Sequence, residues 1–93
     1  SSELKNIDSK ILLSRTYEMV KRKNYFIVNI DSVITAQRPK LRPYISRMEE
    51  TLAKVLGIDP EQISIKATTT EKLGFEGREE GISASAVVLL QLI

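Results

Sequence analysis

Apolar side chains at helical spacing open the chain and predict a first helix, which either Asp8 or Ser9 can cap. A basic run, 21–23, crowds its last turn, where positive charge complements the helix dipole. That run is either a solvated helix end or a patch for a polyanion. The apolar residues of the helix, mostly on one broad face, are Ile11, Leu12, Leu13, Tyr17, Met19 and Val20.

The next run, from Phe26 to Gln37, alternates apolar and polar residues and predicts a strand. Asn29 and Asp31 share one of its faces, either as buried or interface groups or as exposed groups at an edge. The apolar residues expected on the other face are Phe26, Val28, Ile30 and Ile34.

A second helix is predicted after the loop Arg38–Pro43, which its two prolines stiffen. Gly57 suits the position just past the end of this helix. Asp59 then begins a short capped turn with proline in its first position. The apolar face of the helix consists of Ile45, Met48, Leu52, Val55 and Leu56.

Two more strands are predicted in the last third of the chain. The first is short and runs from Ile63 to Ala67. The capping-box spacing of Thr68 and Glu71 then predicts a short helix that ends at Gly74. The last strand, residues 82–93, becomes apolar on both faces, which predicts a central position or cover by a partner subunit.

This order of elements predicts one α/β domain over residues 1–93 with a sheet of about three strands. Three strands make a thin sheet for independent stability, so a missing strand or an oligomer is expected to complete it.

Composition restricts the chemistry more than the fold. A net charge of +2 is too small to indicate nucleic acid binding, and no apolar run is long enough to predict a membrane span. The chain contains neither Cys nor His. Any metal must therefore have oxygen ligands, which favours Mg²⁺ or Mn²⁺ over Zn²⁺. The lack of Cys agrees with a reducing compartment.

The clearest candidate site is the segment from Thr68 to Glu71 at the start of the predicted short helix. Free amides at a helix start, together with threonine hydroxyls, suit phosphate oxygens. Glu71 can help to hold a Mg²⁺ that phosphates already bridge. The alternative is a plain capping box with exposed threonines.

Two further segments are candidates for ligand contact. The Arg38–Pro43 loop can read a base edge through its backbone while its basic side chains meet phosphate. Alternatively, it is a stiff crossover with solvated charges. Arg78, close to Phe75 in the chain, can bind an anion, or it pairs with Glu80 in a surface ion pair worth under about 1 kcal/mol.

Taken together, two of these segments resemble one known family. Residues 34–40, ITAQRPK, and residues 66–82, KATTTEKLGFEGREEGI, look like 2-C-methyl-D-erythritol 2,4-cyclodiphosphate synthase. Asp8-Ser9 before the first helix and Asn29-Ile30-Asp31 in the first strand fit the same family. The resemblance covers essentially the whole chain, and it favours the binding interpretations over the structural alternatives.

The resemblance implies an α+β, ferredoxin-like fold whose sheet of three to four strands carries helices on one face. It also implies a cytoplasmic homotrimer with active sites between subunits. The family is a lyase of non-mevalonate isoprene biosynthesis. It converts 4-diphosphocytidyl-2-C-methyl-D-erythritol 2-phosphate to the 2,4-cyclodiphosphate and releases CMP.

The family's residue roles carry over onto matching positions of this chain. Thr69 matches the position credited with transition-state stabilisation, Glu71 would bind Mg²⁺ or Mn²⁺ with the diphosphate, and Ser9 would touch the methylerythritol part. The residues implied to bind the substrate are Ala36, Gln37, Arg38, Pro39, Lys40, Leu41, Arg42, Thr68, Thr69, Thr70, Glu71, Phe75 and Arg78.

One part of the family pattern is missing from this chain. An Asp-x-His pair and a further His bind Zn²⁺ in the family, beside a flexible loop for methylerythritol, and none of these has a counterpart here. The chain is therefore interpreted as a C-terminal portion that lacks the N-terminal strand and zinc ligands and is inactive alone.

Two alternatives come from other functional classes. One is a non-catalytic nucleotide-binding or trimerising module. The other is a small RNA-binding domain, against which the lack of an aromatic stacking pair argues. Neither a nucleic acid nor a membrane is expected as a partner.

Overall fold

The computed structural model describes residues 8–36, 40–69 and 81–93. Within them, short 3₁₀ turns at Arg42–Tyr44 and Pro60–Gln62 precede the second helix and the second strand. The predicted helix from Thr68 to Gly74 lies beyond these residues apart from its first two positions. The helices and strands are, in order, α1 (Ser9–Arg22), β1 (Tyr25–Ala36), α2 (Ile45–Leu56), β2 (Ile63–Thr68) and β3 (Ile82–Leu92).

The three strands form one mixed sheet in the order β2-β1-β3. The central strand, β1, is parallel to β2 and antiparallel to β3, so Ile30 lies opposite Ile63 on one side and Val88 on the other. Of the two positions predicted for the last strand, the central one does not occur among the described strands, because β3 lies at an edge there. Cover by a partner subunit stays a prediction. The apolar side chains of β3 are exposed on both faces, Val87 by 73% and Val88 by 46%.

Both helices pack against the same face of the sheet, where the core is mostly aliphatic. Ile30, half-buried on β1, packs against two adjoining clusters and joins them. The buried residues of these clusters are Tyr17, Ile27, Leu56, Ala53, Ile63 and Ile65. The result is a small α+β fold with a three-strand mixed sheet. No helix in the described residues is long and apolar enough to cross a membrane.

A β-bulge changes the predicted alternation along β1. The register with β3 shifts between Ile27 and Asn29, so Val28 is the extra residue. Ile27 is 6% exposed and belongs to the core, whereas Phe26 is 36% exposed. The prediction that Phe26, and not Ile27, shares a face with the later apolar residues of the strand is therefore wrong.

Side chains from distant parts of the chain hold this bulge. The hydroxyl oxygen of Tyr17 accepts a hydrogen bond from the amide of Ile27 at 3.1 Å. The amide nitrogen of the Gln62 side chain donates to the carbonyl oxygens of Ile27 and Val28 at 3.2 and 3.0 Å. Beyond the bulge, Asn29 and Asp31 are exposed in the single chain. They are therefore not buried within it, and because β1 is the central strand they do not lie at a sheet edge.

Local capping signals account for where the helices and turns begin and end. The carboxylate of Asp8 caps α1 by accepting from the amide of Lys10 at 2.7 Å. Gly57 ends α2 with a φ of +69°, a left-handed conformation that glycine adopts without a steric penalty. Asp59 and Gln62 form a capping box at the second 3₁₀ turn. All three features agree with the sequence-based predictions.

Candidate functional site

The carboxyl ends of two parallel strands meet at one edge of the sheet. β1 and β2 run in the same direction and end together, with Thr35 opposite Thr68. In open α/β sheets, the carboxyl ends of parallel strands are a common place for a ligand site. We call the residues Thr35, Ala36, Thr68 and Thr69 the carboxyl edge.

The third strand begins at the carboxyl edge because it is antiparallel to β1. Ile82 lies opposite Ala36, and Ser83 lies opposite Thr35. Paired residues of neighbouring strands share a face, so three hydroxyl-bearing residues form a row across the sheet. This row, on the face away from the helices, consists of Thr68, Thr35 and Ser83.

The structure brings described members of both predicted binding segments to this edge. Ala36, which ends β1, is 5% exposed, whereas Thr68 and Thr69 are exposed. Their roles in binding stay predictions. The other predicted site residues in these segments lie outside the described residues, and they are Gln37, Arg38, Pro39, Thr70, Glu71, Phe75 and Arg78.

The end of the predicted Arg38–Pro43 loop is a 3₁₀ turn that leads into α2. The carbonyl oxygen of Leu41 accepts from the amide of Tyr44 at 2.9 Å. Lys40 and Arg42 are exposed on either side of half-buried Leu41. Two cationic side chains are thus exposed shortly after β1 ends.

These groups suit a phosphate-bearing ligand better than a metal ion alone. Threonine hydroxyls and the cations of Lys40 and Arg42 can all donate hydrogen bonds to phosphate oxygens. Within residues 8–36, 40–69 and 81–93, no group of three Cys, His, Asp or Glu side chains could hold a metal. Glu71, the predicted metal ligand, lies outside these ranges.

A clear pair of pKa shifts occurs on α1, at the other end of β1 from the carboxyl edge. Lys21 Nζ lies 2.9 Å from Glu18 Oε1 and 4.7 Å from the ring centre of Tyr17. The hydrogen bond from Lys21 lowers the pKa of Glu18 and raises the pKa of Lys21. Because the pair is exposed and solvent screens its charges, it is a surface ion pair of α1 and is not part of the candidate binding site.

Sequence reasoning missed two residues that hold β2 in place. Gln62 ties the start of β2 to the bulge of β1. Glu49 Oε2 accepts a hydrogen bond from the amide of Ile65 at 2.9 Å. Glu49 gave a usable signal, since it lies one helical turn from both Ile45 and Ala53 on the apolar face of α2. A carboxylate on such a face needs a partner.

Known proteins match this chain over almost its whole length. A family model described as the YgbB family matches residues 1–91. A Bacteroides thetaiotaomicron protein named 2-C-methyl-D-erythritol 2,4-cyclodiphosphate synthase is 63% identical over 91 residues, which are 98% of this chain and 57% of that protein. The chain thus spans about half the length of the curated relatives it matches.

Solved structures share the fold over nearly the whole chain. The bifunctional IspDF from Campylobacter jejuni matches with a TM-score of 0.93 at 40% identity, over 96% of this chain and 24% of that chain. IspF from Plasmodium falciparum, solved as a CDP complex, matches with a TM-score of 0.87 at 36% identity, over 91% of this chain and 55% of that chain.

Proposed function

We propose, because this chain belongs to the YgbB family, that it forms the nucleotide-binding half of a 2-C-methyl-D-erythritol 2,4-cyclodiphosphate synthase. The intact protein would cyclise 4-diphosphocytidyl-2-C-methyl-D-erythritol 2-phosphate and release CMP. In this role it is a lyase of non-mevalonate isoprenoid precursor biosynthesis.

One observation carries the proposal: the pairing of Thr35 with Thr68 brings two separate segments to one edge. Both segments match the family where a cytidine nucleotide is implied to bind. That IspF from Plasmodium falciparum forms a CDP complex at 36% identity supports the same ligand here. In the proposal, Ala36 and residues 39–42 line the cytidine pocket, Gln37 and Arg38 also contact the substrate, and residues 68–71 hold the diphosphate.

The reaction needs no nucleophile from the protein. An oxygen of the substrate's 2-phosphate attacks the β-phosphorus, the bond from that phosphorus to the bridging oxygen breaks, and CMP leaves with the electron pair. Catalysis therefore rests on in-line positioning and on neutralising charge at phosphorus. The Thr69 hydroxyl donates to an oxygen on which charge increases in the transition state, and Lys40 offsets charge on the diphosphate.

The donor set of this chain fits one of the two implied metals. One carboxylate, Glu71, together with phosphate oxygens is a normal arrangement for Mg²⁺ or Mn²⁺, which when bound neutralises charge on the diphosphate. Zn²⁺ does not fit, because the chain has no His or Cys and its described residues contain no cluster of carboxylates. The proposal therefore places the zinc site outside this chain.

The 93-residue chain is expected to bind CDP with Mg²⁺ but to form no cyclic product, because it lacks the implied zinc ligands. Calorimetry measures the binding, and ³¹P NMR detects the cyclic diphosphate. The intact natural protein is the positive control and should release CMP. Robust turnover by the chain alone contradicts the need for those ligands. If the intact protein binds CDP but releases no CMP from the diphosphocytidyl substrate, the result favours the non-catalytic nucleotide-binding module.

The proposal also includes a homotrimer with active sites between subunits, a ferredoxin-like sheet with a fourth strand, and a cytoplasmic location. The exposed side chains of β3 support an assembly, since monomers rarely expose large contiguous apolar patches. On one face Val87 and Leu89 are 73% and 53% exposed, and on the other Val88 and Leu92 are 46% and 59% exposed.

Replacing Val87 by glutamate is expected to convert the trimer of the intact natural protein to monomers. The new carboxylate would be buried in the interface without a partner, opposite Asp31. Light scattering coupled to size exclusion measures the mass. Met19→Glu is the matched control, because Met19 is 59% exposed on α1, and this variant should stay trimeric. A trimeric Val87→Glu variant would place the interface elsewhere.

A further inference from the structure

A side chain of α2 accepts a hydrogen bond from the outer side of β2. Among the described residues β2 pairs with β1 alone, so backbone groups on its other side need different partners. Ile65 is 6% exposed, and its amide donates to Glu49 Oε2 at 2.9 Å. The bond satisfies a backbone donor that water reaches poorly.

This hydrogen bond lies close to the carboxyl edge along a single strand. Ile65 and Thr68 are three residues apart in β2, a separation of about 10 Å. The pairing of β2 with β1 ends at Thr68 opposite Thr35. Gln62 anchors the start of β2 from within the sheet, while Glu49 holds its outer side nearer to the threonines.

We propose that Glu49 is a positioning residue for the carboxyl edge. Through the amide of Ile65 it holds β2 so that Thr68 and Thr69 meet the substrate diphosphate in a productive geometry. The inference rests on the proposed function, and it assigns to Glu49 no contact with substrate. Since Thr69 acts mainly in the transition state, a displaced β2 lowers kcat more than it raises KM.

The test compares Glu49→Ala and Glu49→Gln with the wild type in the intact natural protein. Glu49→Ala should lower kcat roughly tenfold with KM within about twofold, because small misplacements of catalytic groups are costly. Glu49→Gln keeps an oxygen acceptor and should restore kcat to within about twofold of the wild type. Hydrogen exchange of residues 65–69 should become faster in Glu49→Ala alone.

Two further variants separate positioning from lost stability. Glu50→Ala removes the neighbouring exposed carboxylate and should leave kcat unchanged. Tyr17→Phe removes the hydroxyl that accepts from Ile27, so it should lower Tm without lowering kcat. A Glu49→Ala variant with wild-type kcat overturns the inference. A Tyr17→Phe variant also overturns it if it has the same Tm as Glu49→Ala and loses as much kcat. If the wild type releases no CMP, the proposed function fails, and this role fails with it.

Discussion

Replacing Thr69 by alanine in the intact natural protein is expected to lower kcat about a hundredfold, with KM changed by less than about threefold. Thr69 is exposed and directly follows β2 at the carboxyl edge. Its proposed hydrogen bond strengthens as charge builds up on the attacked phosphoryl group. Removing such a donor therefore raises the energy of the transition state more than that of the bound substrate. Steady-state release of CMP measures both parameters.

Two matched variants control this experiment. Thr69→Ser keeps the hydroxyl and should retain most of kcat. Thr51→Ala makes the same change at an exposed position of α2 and should leave kcat and KM unchanged. Equal losses in kcat and in the affinity for CDP would contradict a transition-state role and leave Thr69 as a binding residue only.

Replacing Leu56 by alanine is expected to lower the free energy of unfolding by about 3 kcal/mol. Leu56 is 5% exposed and packs against Tyr17 and Ile27, so it joins α2 to α1 and to the central strand. Truncation removes buried methyl groups and leaves a cavity that the surrounding side chains fill only in part. Denaturant unfolding of the intact natural protein, followed by circular dichroism, measures the loss.

Met19→Ala is the matched control for the core substitution. Met19 is 59% exposed on α1, so its truncation should change the unfolding free energy by less than about 0.5 kcal/mol. If both variants lost the same stability, Leu56 would not be part of a packed core, and the cluster around Tyr17 would have to be reassigned.

The helices and strands of the described residues were predictable because their signals are local. Asp8 caps α1, Gly57 ends α2, and Asp59 begins a capped turn, as expected from neighbouring residues alone. Each of these signals acts over at most a few residues, through one hydrogen bond or one backbone angle. The ends of the helices and strands therefore differ little between prediction and structure.

The bulge in β1 was not predictable in this way. It places Ile27 in the core in place of Phe26, and alternation along a strand contains no sign of such a shift. Its partners, Tyr17 and Gln62, come from α1 and from the turn before β2. Only after the helices pack on the sheet do these polar groups meet the bulged backbone.

The candidate site was likewise predictable in part from the sequence and in part only from the tertiary structure. Thr68 and Thr69 were proposed from the sequence. Threonine hydroxyls and free amides at a predicted helix start suit phosphate oxygens, and these residues match a specific family block. That Thr35 stands beside Thr68 depends on parallel pairing between strands about thirty residues apart. Parallel strands need a long crossover, and here α2 provides it.

By itself, the sequence determined the types and limits of the elements, the lack of thiol and imidazole ligands, and the threonine segment that marks the family. The tertiary structure alone decided that β3 lies at an edge of the sheet formed by the described residues, that the carboxyl edge forms, and that Glu49 reaches Ile65. The physical reason is the distance along the chain over which each interaction acts. Capping and periodicity act between neighbours, whereas strand order, register and edge contacts depend on which surfaces are buried together.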